Sequence, residues 1–157
     1  MSDVAADEMT ADQAIEHLRT QQNFALAVPA GLAAAAVGAV LWAVVTYVSG
    51  MELGLVAIAV GALVGLAIRK VGRGLDQQFG FLGAGCAALG WALGMILSDL
   101  AFAAKAVDRP ITDVAATLGA GQTVTLAVQG ADAMDLLFLA IAVWEGYKLS
   151  FAYRLRK

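Results

Sequence analysis

The sequence predicts an all-α, polytopic membrane protein: a four-transmembrane-helix bundle with a short N-terminal cytoplasmic helix and an amphipathic extracytoplasmic segment. Three observations carry that prediction. Of 157 residues, 61% are hydrophobic and 15% charged, and the mean hydropathy is +0.76. A soluble domain carries about 25% charged residues, which cover its surface. No charge falls between Arg19 and Glu52, a run of 32 positions, and further charge-free stretches cover 53–68, 77–98 and 136–144. About 20 mostly apolar residues carry a helix across a bilayer core of about 30 Å, whereas a soluble helix shows charges along its outer face. Basic residues, finally, flank these stretches unevenly, eight on one side and two on the other.

Residues 1–22 form a polar arm with Asp3, Asp7, Glu8, Asp12 and Glu16 against Arg19. It lacks the basic start and apolar core of a secretory signal. Thr10 and Gln13 have capping-box spacing, which predicts a short helix over 11–22. The transmembrane domain covers 23–153. Its first span, 24–48, is rich in Ala and Gly and tolerates Pro29 in its first turns, where a missing N–H costs little. Ser49–Gly50 turns the chain into a second span over 51–68, which Arg69, Lys70 and Arg73 follow. The third span covers 79–104. Asp108–Arg109–Pro110 then breaks the chain, and the outer segment 107–131 begins with Ile111, Val114, Ala115 and Leu118 at helical spacing. Gly119 and Gly121 end that helix, and 124–128 reads as an extended stretch or a further interfacial turn. The last span covers 133–153, with a basic tail at 154–157.

Four spans with both termini cytoplasmic put Arg19, Arg69, Lys70, Arg73, Lys148, Arg154, Arg156 and Lys157 inside, against Lys105 and Arg109 outside. This is the positive-inside pattern, and the expected location is a bacterial inner membrane.

Small residues are the first functional signal. Gly61 and Gly65 stand four apart, with Ala57 extending the row; Gly50 with Gly54 and Gly90 with Gly94 repeat the spacing. Small faces let helix backbones approach closely in lipid, where no hydrophobic force drives them together. They fit either packing within one bundle or an oligomer interface.

Ionisable residues in spans are the second signal, because they are costly in hydrocarbon. Glu145 and Lys148 stand three apart on one helical face, a spacing suited to an ion pair. Asp99 and Asp135 fall at similar depth if the third and fourth spans are neighbours, with Lys105 and Arg109 nearby. All four are candidates for an ion or proton site; an interfacial salt-bridge cluster is the plainer reading of the two aspartates.

His17 is the only histidine and Cys86 the only cysteine, so no metal or cofactor site is expected. Cys86 reads as a small packing residue. Nothing in the sequence forms a nucleophile elbow or phosphate loop, and no basic patch suits nucleic acid. A non-enzymatic protein is expected.

Gln22–Asn23–Phe24 with Trp42–Ala43, and Asp135–Leu136–Leu137–Phe138 with Glu145–Gly146–Tyr147–Lys148, resemble small four-helix bacterial membrane proteins of uncharacterised activity. Some of those carry an N-terminal zinc ribbon, whose cysteines are absent here. The resemblance implies topology and draws attention to Asp135, Glu145 and Lys148. The expected function is an integral membrane protein that self-associates through its Gly/Ala faces or joins a membrane complex. The alternative is a small channel or transporter subunit that passes protons or cations past its carboxylates. The expected partners are the lipid bilayer and a second copy or another membrane protein.

Overall fold

The computed structural model describes residues 11–51 and 54–151. Thr10, the first half of the predicted capping box, and the basic tail lie outside them. Among the described residues every regular element is a helix: α1 (Ala11–Thr20), α2 (Phe24–Ser49), α3 (Leu55–Gly72), α4 (Gln77–Ala106), α5 (Ile111–Gly130) and α6 (Ala133–Leu149).

Helix α2 starts at Asn23, whose side chain accepts a hydrogen bond from the Leu26 amide. It ends at Gly50, held at φ 68°, where the Gly50 amide bonds to Thr46 O. Lys105 closes the same end by donating from Nζ to the carbonyls of Tyr47 (2.8 Å) and Val48 (3.2 Å). A cation on the last carbonyls suits the negative end of the helix dipole. Helix α3 lies four residues later than the expected 51–68. Its C-terminus is extended by Arg69 and Lys70, which the same dipole favours, and Arg73 ends it in a left-handed conformation (φ 49°).

Helices α3 and α4 pack against each other, with α2 against both on one side and α6 against both on the other. Helix α5 touches only α4. The expected helix break at Gly119 is present (φ 69°, ψ 164°), but the chain resumes helix to Gly130, so the extended alternative for 124–128 does not form.

Side-chain size runs opposite to that of a water-soluble protein. Buried positions are dominated by small residues, among them Ala27, Ala35, Ala57, Ala87, Ala101 and Ala142. Large apolar residues such as Leu32, Val40, Leu41, Leu66, Leu89 and Leu137 are exposed on the outer face. Close contact between small faces, with Leu and Val turned outward, is how helices associate in lipid.

Helices α2, α3 and α4 are long and apolar enough to cross a membrane. That is three helices among the described residues, not the expected four. Helix α6 is not among them: it is 17 residues long, ending at Leu149 rather than at the expected 153, and it carries Asp135, Glu145 and Lys148. It remains the fourth wall of the bundle.

Candidate functional site

Two ends of the bundle can be told apart by their contacts. At the first, α1, the start of α2, the α3–α4 turn and the end of α6 meet. Gln22 is the clamp. Its Oε1 accepts from the amides of Leu75 (2.9 Å) and Asp76 (3.2 Å), and its Nε2 donates to Asp76 Oδ2 (2.9 Å). Arg19 reaches the other Asp76 oxygen at 3.3 Å, and the Asn23 amide bonds to Gly72 O. Gln77 donates to the Tyr147 hydroxyl at 2.9 Å, tying α4 to α6. Both motifs noted in the sequence therefore have members at this end. Gln22→Ala leaves two partly buried amides without their acceptor, each worth about 1–3 kcal/mol. The expected result is a clear fall in thermal stability in detergent.

The second end holds a cavity of about 340 Å³. Asp99 and Ser98 border it from α4, Trp42 from α2, and Asp132, Asp135 and Phe138 from the start of α6. Ser98 is buried and shares a hydrogen bond of 2.6 Å with Thr46. Asp132 and Asp135 form a capping box: Asp132 Oδ1 accepts from the Met134 and Asp135 amides, and Asp135 Oδ2 accepts from the Asp132 amide. The positive helix end favours both charges. One oxygen of each carboxylate remains without a partner among the described residues. Trp42 is 4% exposed, and its indole Nε1 has no acceptor among the described residues.

The structure thus brings Asp99 and Asp135 together at one cavity. It adds Asp132, whose only sequence signal is its capping-box spacing to Asp135, with Trp42 and Ser98, the latter held from behind by Thr46. The hydroxyls were detectable only as polar residues within apolar spans. Lys105 sits on the α2 carbonyls, so the expected salt-bridge cluster does not recruit it. The carboxylates ring the cavity rather than converge: among the described residues no group of three acidic, His or Cys side chains is placed to hold a metal ion.

Glu145 and Lys148 are elsewhere. Ten residues of α6 separate Glu145 from Asp135, about 15 Å of rise. Glu145 is half-buried, Lys148 is exposed, and the ion pair that their spacing suggested does not form. The two pairs read from the sequence, Glu145 with Lys148 and Asp99 with Asp135, thus lie apart along α6.

The small residues serve the bundle itself. A Cβ on Gly61 would meet the Ala142 carbonyl oxygen, and one on Gly65 would lie 2.7 Å from Leu149 Cβ. Gly90 faces Val60 and Ala35, Gly94 faces the Trp42 ring, Gly54 faces the Phe138 ring, and Gly50 faces Lys105. Ala57 is fully buried. All seven positions pack within the chain. Cys86 is buried against Gly31, as its packing role predicts.

No protein-family model matches the chain, and neither a curated protein nor a solved structure matches it.

Proposed function

We propose that this is a non-enzymatic, multi-pass protein of the bacterial inner membrane that takes a small organic cation in the cavity between α2, α4 and α6. The observation that carries the reading is the composition of that cavity. Asp99, Asp132 and Asp135 supply negative charge, and Trp42, Phe138 and Met95 supply an apolar and aromatic wall. Carboxylates spaced around about 340 Å³ suit a cation with a body, such as an alkylammonium, better than a bare metal ion. Aromatic faces favour such cations further. The reading is tested by calorimetric titration of the purified protein with tetraethylammonium. Saturable binding that sodium at equal concentration does not displace is expected; its absence overturns the proposal.

Both termini are proposed to lie in the cytoplasm, with α6 crossing beside the apolar helices. Support comes from Arg19, Arg69, Lys70, Arg73 and Lys148, all toward the end where the Gln22 clamp lies, against Lys105 and Arg109 at the cavity end. A fluorescent reporter that matures only in the cytoplasm, fused after Lys157, should glow; a reporter active only outside would reverse the orientation.

A further inference from the structure

The outward face of α3 ends in a feature that the cavity reading does not use. Leu63 and Leu66 are exposed, and with Ala67, Arg69 and Lys70 they line an open groove of about 540 Å³. A second hollow, of about 310 Å³, is bordered by Arg69, Arg73, Leu18 and Gln21. Arg69 borders both, so the two hollows adjoin.

Among the described residues Arg69, Lys70 and Arg73 form no ion pair, while Asp76 and Glu16 at this end are both engaged by Arg19. The α3 carboxyl terminus offsets only about half a charge. Three cations thus stand directly beyond an apolar wall. Leu63 and Arg69 are six residues apart, about 9 Å of helix rise, which fits within one bilayer leaflet of about 15 Å. The groove therefore has apolar side chains at acyl-chain depth and guanidinium and ammonium groups at phosphate depth.

We infer that this groove is a binding site for an anionic phospholipid, its phosphate on Arg69, Lys70 and Arg73 and one acyl chain along Leu63 and Leu66. A free phosphate matches only the basic half of the surface. A water-soluble acidic segment leaves Leu63 and Leu66 uncovered. The inference rests on the membrane placement, which the reporter tests separately: a cytoplasmic reporter with no lipid preference would sink the lipid site alone.

The experiment is native mass spectrometry of the protein in detergent with equal amounts of phosphatidylglycerol and phosphatidylcholine. Each basic residue near a lipid surface contributes about a fivefold preference. The wild-type protein should retain phosphatidylglycerol preferentially. Arg69→Gln with Lys70→Gln should lower the ratio about 25-fold, while Arg109→Gln at the other end leaves it unchanged. Arg73→Gly removes a charge at a left-handed position that glycine adopts without strain. It should lower the preference about fivefold with the fold intact. Inorganic phosphate should not displace the lipid. Equal retention of the two lipids by wild type, undiminished preference in the double variant, or displacement by phosphate would each overturn the site.

Discussion

Asp99→Asn should weaken tetraethylammonium binding by about tenfold or more, a loss of about 1.4 kcal/mol. A unit charge about 5 Å from a cation contributes about 3 kcal/mol at an effective dielectric near 20. Solvent entering the partly open cavity reduces that figure, and half of it still gives the tenfold change. Asp135→Asn should act in the same direction. Its amide oxygen can still accept from the Asp132 amide, so the α6 cap survives while the charge is lost. Glu145→Gln should leave binding unchanged, because Glu145 lies about 15 Å along α6 from the cavity. Titration calorimetry on the three variants checks the pattern. Equal affinity in Asp99→Asn and wild type, or loss in Glu145→Gln alone, would move the cation away from this cavity.

Gly61→Ala and Gly85→Ala should shift stability in opposite directions. A Cβ at Gly61 would stand 2.8 Å from Ala142 Cα and 2.9 Å from its carbonyl carbon. These are backbone atoms, so no side chain can rotate away, and α3 and α6 must move apart. Forced overpacking of this kind costs about 1–3 kcal/mol. A Cβ at Gly85 meets nothing within 4 Å. There the substitution removes only the backbone freedom of glycine, a gain of up to about 1 kcal/mol in a helix. Reversible unfolding in mixed detergent micelles, compared across the pair, measures both. A gain at Gly61 matching that at Gly85 would mean that helix propensity, not contact with α6, decides the effect.

Helices α2 and α4 were legible because unbroken charge-free runs leave few other structures open. Helix α3 was found but misplaced at both ends: Arg69 and Lys70 read as flanks, whereas the helix dipole draws them into its last turn. Helix α6 was found with its ionisable residues, but its end was set at 153, whereas the helix stops at Leu149. The meeting of Asp99 and Asp135 was foreseeable, since antiparallel neighbours bring an outer end and an outer start to one depth. Asp132 was not foreseen, because its carboxylate reads first as a helix cap. Gln22 stood out in sequence, but its role depends on amides more than 50 positions away, and no local pattern announces them. Which residues of α6 Gly61 and Gly65 meet was unreadable locally for the same reason.

The small-residue interior bears on how this fold responds to temperature. Soluble proteins bring a large heat-capacity increase to unfolding, because apolar side chains pass from the core into water. Here Leu32, Leu41 and Leu89 face outward already, and the helix seams are lined by Ala and Gly. Separating the helices within a bilayer or micelle exchanges one hydrocarbon contact for another and hydrates little new surface. The stability curve is therefore expected to be nearly straight rather than domed. Cooling, which weakens a water-driven core, leaves the contact of Gly61 with Ala142 as tight as before.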